Sequence, residues 1–156
     1  VGRKSAGAVG KNKASFEVTY QPGTIEVVAY SAGKETGRTN LKTAGSPVAL
    51  RAAVDRPEIH SEFGDLAYVA VEVVDQDDYV VKWADPEVSF TVTGAGELIA
   101  VGTANPMSEE LYVGNKRKAW NGRLVAVIRS SGRAGEITLK ASAHDLHATE
   151  IRIKAK

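Results

Sequence analysis

One group of potential metal ligands in the sequence is His144-Asp145-Leu146-His147, which offers two imidazoles and a carboxylate. Neutral ring nitrogens and carboxylate oxygens are suitable ligands for zinc and related ions. The spacing gives these groups no common direction, and the chain has no cysteine and only His60 as a further histidine. A polar turn before the last strand is the favoured interpretation, so we predict no metal and no cofactor.

Asp75-Gln76-Asp77-Asp78 resembles the opening of a calcium loop, in which alternating carboxylates converge on the ion. Such a loop needs glycine at its sixth position and glutamate at its twelfth, where this chain has Val80 and Pro86. A hairpin turn is therefore the better prediction. Gly94-Ala95-Gly96 is likewise predicted to be a turn, because no helix follows it to present N–H groups to a phosphate.

The nearest candidate for acid–base chemistry is the pair Glu109-Glu110. Cleavage of a glycosidic bond needs two carboxylates that face each other across a cleft. Adjacent residues diverge in a strand and rarely face one pocket in a loop, so a solvated surface is the simpler interpretation. With no Gly-x-Ser-x-Gly elbow either, we predict no catalytic residue in this chain.

The long connection from Asn105 to Gly122 contains the residues best suited to binding a sugar, namely Trp120, Tyr112 and Asn121. An exposed aromatic ring can stack on a pyranose, and an amide can bind its hydroxyl groups. The rival interpretation is that Trp120 covers one end of the core, because an apolar strand begins immediately after it. We favour packing, since an aromatic ring beside a core strand is usually buried.

The chain that must position these residues has the composition of an ordinary globular protein. The chain has 156 residues, with Lys+Arg 20 against Asp+Glu 19, 43% hydrophobic residues and no cysteine. These values exclude disordered, collagenous and membrane-spanning classes. A net charge of +1 also lacks the basic excess typical of nucleic-acid or membrane binding, so neither is an expected partner.

The hydrophobic pattern predicts an all-β protein. Residues 87–93 alternate strictly, which places Val88, Phe90 and Val92 on one face of a strand. No segment shows a helical stripe, and turn signals such as Asn121-Gly122 separate the apolar runs. The predicted strands are 14–20, 24–31, 35–43, 47–54, 66–75, 79–82, 87–93, 97–101, 124–130, 135–142 and 148–154. Short strands without helices between them indicate a β-sandwich.

The composition predicts a domain boundary at Thr43-Ala44-Gly45-Ser46-Pro47, where small residues precede a proline. Residues 46–156 are long enough for a complete immunoglobulin-like β-sandwich. Residues 1–45 hold only three predicted strands, which cannot cover their own apolar face. We therefore expect residues 1–45 to be the last strands of a second, truncated sandwich domain.

Several blocks along the chain together form a characteristic order, namely Val1–Lys4, Phe16–Tyr30, Gly33–Glu35, Leu41–Pro47, Ala70–Asp75, Val88–Val92, Gly94–Leu98 and Gly114–Gly122. In this order the blocks resemble the C-terminal immunoglobulin-like accessory domains of bacterial glycoside hydrolase family two β-galactosidases. The family commonly has a Gly-Asp pair before the proline of the long loop, whereas this chain reads Gly102-Thr103-Ala104-Asn105-Pro106. The resemblance therefore carries no acidic role to this loop.

The resemblance implies a multidomain parent enzyme whose catalytic glutamates lie on a barrel domain that has no counterpart here. This chain is then a non-catalytic accessory region that serves structure, domain packing or oligomer contact. Its expected partners are the other domains of the parent and a second copy of the chain. The alternative is an independent carbohydrate-binding or adhesive immunoglobulin-like module, whose partner would be a glycan.

Overall fold

A computed structural model describes residues 1–62 and 64–156, with no side chain described for Val9. The described chain separates into two compact units, Val1–Thr43 and Ala44–Lys156. Among the described residues, no helix has the length and apolar character needed to cross a bilayer.

The first unit is built on one antiparallel hairpin, formed by β1 (Thr24–Ser31) and β2 (Lys34–Lys42). Ala32 and Gly33 both have positive φ, 48° and 80°, which is the conformation of a two-residue hairpin turn. A single 3-10 turn, Ala8–Gly10, precedes the hairpin. Apolar side chains along the unit stay exposed, among them Phe16, Ile25, Val27 and Leu41.

The second unit is a sandwich of two sheets. Its strands are β3 (Ala49–Val54), β4 (Glu58–Ile59), β5 (Leu66–Val74), β6 (Glu87–Gly94), β7 (Gly96–Gly102), β8 (Lys116–Lys118), β9 (Arg123–Ser130), β10 (Gly135–Ser142) and β11 (Thr149–Ala155). One sheet has the order β3-β5-β9-β7 and the other the order β4-β11-β10-β6-β8. Every pair is antiparallel except β4 with β11, which is parallel.

The seven long strands follow the order of a constant-type immunoglobulin domain. The first, second, fifth and fourth of them form one sheet, while the third, sixth and seventh form the other. The very short strands β4 and β8 are added at the two edges of the second sheet. The all-β, immunoglobulin-like sandwich predicted from the sequence is confirmed.

The core lies between the sheets because alternate residues of each strand face inward. On β6, Val88 and Phe90 are buried while Thr91 is exposed, as its alternation predicted. Ile128 of β9 and Leu139 of β10 are fully buried from the facing strands.

Four details of the strand prediction differ from the structure. Residues 14–20 and 79–82 do not form strands, although Val80 makes an isolated bridge to Val74. Conversely, β4 and β8 were not predicted, because a two-residue strand and a Lys-Arg-Lys strand carry no apolar alternation. The assignment of residues 1–45 to a truncated domain stays a prediction.

Asp65, just before β5, connects three parts of the second unit through hydrogen bonds. Its carboxylate accepts hydrogen bonds from Arg56 Nη2 at 2.9 Å, from the N–H of His60 at 3.2 Å and from the N–H of Leu66 at 2.8 Å. The hydrogen bond from Arg56 and then those from the two N–H groups lower the pKa of Asp65 to about 2. A carboxyl whose pKa is lower in the folded state stabilises the fold only while it is ionised.

We expect Asp65→Asn to lower the melting temperature at pH 7 and to flatten its dependence on acid. In the wild type, the contribution of Asp65 is complete above its ordinary pKa of 3.8 and is lost as the pH falls towards about 2. Melting curves between pH 7 and pH 2 measure both effects. Glu109→Gln is the control on an exposed carboxylate and should leave the melting temperature and its pH profile unchanged. Parallel pH profiles for Asp65→Asn and the wild type would contradict the prediction.

We expect Phe90→Ala to destabilise the protein by about 3–5 kcal/mol, the usual cost of emptying an aromatic core site. Phe90 is 1% exposed, so removal of its ring would leave a cavity in the core. Denaturant titration measures the change, with Thr91→Ala as the outward-facing control on the same strand. A loss below about 1 kcal/mol for Phe90→Ala would show that this face of β6 does not form the core.

Candidate functional site

Trp120 lies on the surface because of the alternation along β8 and the turn that follows it. Arg117 and Ala119 point inward and are buried, so Lys118 and Trp120 lie on the outer side. Trp120 is 39% exposed, and the expectation that it is a buried cover of the core is therefore wrong. Its backbone is fixed by reciprocal hydrogen bonds with Arg123, both close to 3 Å.

The turn between Trp120 and Arg123 needs its two central residues. Asn121 and Gly122 have φ values of 52° and 70°, as in the two-residue hairpin turn that the sequence predicted. A Cβ on Gly122 would lie 2.5 Å from the carbonyl oxygen of Val81, so only glycine fits. The N–H of Gly122 also donates to the carbonyl of Ala84 at 3.0 Å, which ties this turn to the loop before β6.

A groove of about 110 Å³ lies beside Trp120. Its lining comes from three separate segments of the chain and comprises Asp85, Asn105, Glu110, Lys118, Ala119 and Trp120. The sequence marks Glu110 only as half of a carboxylate pair and does not mark Asp85, because no motif connects these segments. The pairing of β8 with β6 and the hydrogen bond from Ala119 N–H to Pro86 O at 2.9 Å bring them together.

The polar groups of the groove are held in place by their neighbours. Lys118 Nζ lies 2.9 Å from Asp85 Oδ2, and this hydrogen bond raises the pKa of Lys118. Glu110 accepts a hydrogen bond from Ser108 Oγ at 3.1 Å and one from the N–H of Lys118 at 3.4 Å. The Oδ1 of Asn105 accepts the N–H of Met107 at 3.0 Å. These contacts orient the polar groups of the groove towards one another.

Arg117 anchors the loop that carries Asn105 and Glu110. It is 1% exposed, and its Nη1 donates to the carbonyl oxygens of Glu110 and Leu111 at 2.8 and 3.1 Å. Its guanidinium carbon lies 5.1 Å from the centre of the Tyr112 ring, a cation–π distance. Its Nε has no hydrogen-bond acceptor among the described residues, but it is 3.5 Å from Oε2 of Glu110, so that contact is electrostatic.

The structure does not bring Tyr112 and Asn121 into this groove with Trp120. The ring of Tyr112 lies near Gly102, where an added Cβ would approach it to 3.3 Å. Asn121 occupies the hairpin turn described above. The participation of Tyr112 and Asn121 in sugar binding stays a prediction.

The other candidate ligand groups have structural partners or are dispersed. Asp75 is buried and accepts the N–H groups of Gly45, Asp77 and Tyr79 at 2.6, 3.0 and 2.9 Å, which is the predicted turn. His144 Nδ1 lies 2.8 Å from Asp145, and both side chains are exposed. Within residues 1–62 and 64–156, no three acidic or histidine side chains are grouped as a metal site would require.

The fold and the site define the chain as an immunoglobulin-type β-sandwich module with a small surface groove. The family described as Glycoside hydrolase family 2 C-terminal domain 5 matches residues 50–152, and a domain of unknown function, DUF4982, matches residues 1–37. This chain belongs to the family of glycoside hydrolase family 2 C-terminal domains. The family resemblance stated from the sequence is confirmed.

Two curated relatives align with nearly the whole chain. A beta-galactosidase of Bacteroides ovatus, BoGH2A, is 34% identical over 91% of this chain and 17% of its own length. A beta-galactosidase of Thermoanaerobacter pseudethanolicus is 31% identical over 90% of this chain and 17% of its own length. The chain therefore spans about a sixth of the length of each of these two relatives.

Solved structures show the same fold. A glycosyl hydrolase family 2 member from Bacteroides cellulosilyticus superposes with a TM-score of 0.95 at 35% identity, over 99% of this chain and 20% of that chain. A beta-glycosidase from Bacteroides vulgatus superposes with a TM-score of 0.82 at 22% identity, over 88% of this chain and 18% of that one, and shows the fold alone.

We expect Arg117→Met to destabilise the second unit by about 1.5–3 kcal/mol, because methionine fills the space but leaves the Glu110 and Leu111 carbonyls without their charged donor. Amide exchange should quicken chiefly in residues 103–115, which Arg117 holds. Lys116→Met is the matched control, since Lys116 is an exposed neighbour on the same strand. Unchanged protection of 103–115 in Arg117→Met would contradict this role.

Proposed function

We propose that the chain is a non-catalytic accessory region of a multidomain β-galactosidase, and that the parent hydrolyses O-glycosyl bonds in carbohydrate metabolism. The observation that carries this proposal is the pair of beta-galactosidase relatives, which align with about nine-tenths of this chain over 17% of their own length. The remaining length of such a parent would contain the catalytic machinery.

The carboxylates of the described chain support a non-catalytic role. Glycosidic cleavage needs one carboxyl that protonates the leaving group and a second that acts across the bond. Glu110 accepts hydrogen bonds from the Ser108 hydroxyl and from a backbone N–H of β8. Its sequence neighbour Glu109 does not line the groove. The other carboxylate in the groove, Asp85, forms an ion pair with Lys118.

The loop between β7 and β8 supports a role in packing against other domains of the parent. Met107, Leu111 and Val113 are 85%, 80% and 80% exposed, although Arg117 holds the loop in a defined shape. Fixed apolar side chains in water are typical of surfaces that meet another protein surface. None of the three lines the groove beside Trp120. We assign this apolar loop to contact with another domain of the parent enzyme.

We expect the 156-residue chain to show no turnover of a nitrophenyl β-galactoside, while the longer parent protein hydrolyses the same substrate. Release of nitrophenol measures both. Turnover by the short chain that is abolished by Glu109→Gln or Glu110→Gln would contradict the non-catalytic assignment. A parent that hydrolyses only other glycosides would contradict the assigned substrate.

A further inference from the structure

We propose that the groove lined by Trp120, Asp85, Asn105, Glu110 and Lys118 binds one pyranose ring of a neutral saccharide. This inference goes beyond an accessory role in domain packing. It rests on the geometry of the groove and stands independently of the catalytic assignment of the parent.

Trp120 is the aromatic residue among those that line the groove. Its backbone is held by the hydrogen bonds with Arg123, and 39% of the residue remains exposed. An exposed indole presents an apolar surface to a ligand at little entropic cost, since its side chain has only two rotatable angles. The C–H face of a pyranose ring is the complementary surface.

The side chains of four of the described lining residues are polar or charged. Asp85 and Glu110 supply acceptors, Lys118 supplies donors, and Asn105 has both kinds of atom. Sugar hydroxyl groups both donate and accept, so they can use such a mixed set. Because Ser108, Met107 and the β8 backbone already orient Glu110 and Asn105, little side-chain ordering would accompany binding.

The pairing of charges favours a neutral sugar over a uronic acid. Lys118, the cation among the described lining residues, is paired with Asp85 at 2.9 Å, and Glu110 lies 3.5 Å from the buried Arg117. The carboxylate of a uronide would therefore meet Asp85 and Glu110 without an unmatched cation in the groove. Like charges so placed oppose binding and give discrimination.

The size of the groove sets the expected strength of binding. Its volume of about 110 Å³ is smaller than the ~300–1,000 Å³ of typical small-molecule sites. It can therefore contact one ring and leaves the neighbouring sugar units in solvent. We expect millimolar dissociation constants, which become useful to an enzyme when the site holds one part of a longer chain.

The test follows the indole N–H resonance of Trp120 by NMR in the 156-residue chain, assigned with Trp83→Phe. Methyl β-galactoside, lactose and methyl β-glucoside should shift it saturably. Methyl β-glucuronide, which differs from the glucoside only at C6, should bind at least ten times more weakly. Absence of a saturable shift with every neutral sugar overturns the proposal, and equal affinity for the glucuronide overturns its charge argument.

Two variants and one matched control localise the binding. Trp120→Ala and Glu110→Gln should each weaken binding of methyl β-galactoside at least tenfold, followed through backbone amides of residues 105–110. Trp83→Ala removes an indole that is 66% exposed and does not line the groove, so affinity should change less than twofold. An equal loss in Trp83→Ala, or full affinity in Glu110→Gln, overturns the site even where Trp120→Ala fails to fold.

Asp85→Asn tests the charge pairing directly. It leaves the ammonium of Lys118 without its carboxylate partner, so affinity for methyl β-glucuronide should rise at least fivefold relative to methyl β-glucoside. An unchanged ratio overturns the role given to this ion pair. Sugar binding by a chain whose parent does not cleave galactosides would refute the proposed function and leave this inference intact.

Discussion

The second unit depends on one packing constraint, which is that each sheet must cover the inner face of the other. The constraint is tight where β7 begins, because a Cβ on Gly96 would lie 2.7 Å from Ile137 of the opposite sheet. It also determines what the strand ends can present to solvent. Every inward residue on β8 places its neighbour outside, so the burial of Arg117 and Ala119 is the reason that Lys118 and Trp120 reach the surface.

Arg117 is the polar exception within this packing. A buried guanidinium is costly to desolvate, and its partners must compensate for much of that cost. Here the partners are two carbonyl oxygens, the carboxylate of Glu110 and the ring of Tyr112, all from the loop between β7 and β8. The need to pair one charge therefore gives shape to a loop that has few regular backbone hydrogen bonds, and that shape places Glu110 at the groove.

The sequence predicted the features that depend on local chemistry and missed those that depend on distant partners. Alternation identified β6 and the burial of Phe90, and Asn121-Gly122 identified its turn. The same alternation over residues 14–20 indicated a strand that did not form, because period two shows that a strand would be amphipathic and not that a neighbour exists to pair with it. The burial expected for Trp120 was wrong because it too depends on a distant partner. The face on which Trp120 lies is set by β8, and β8 forms only by pairing with β6, about thirty residues earlier in the sequence.

The short strands at the margins of the five-stranded sheet have a consequence for its behaviour at high concentration. Strands of two and three residues, β4 and β8, occupy its two margins. Each covers only part of its neighbour, since β4 pairs with residues 154–155 of β11 and β8 with residues 87–89 of β6. Beside β8, an incoming extended chain would meet a three-residue strand and the ammonium groups of Lys116 and Lys118. A short, charged edge strand of this kind opposes edge-to-edge aggregation. The β8 edge of this sheet therefore resists growth into fibrils through strand addition.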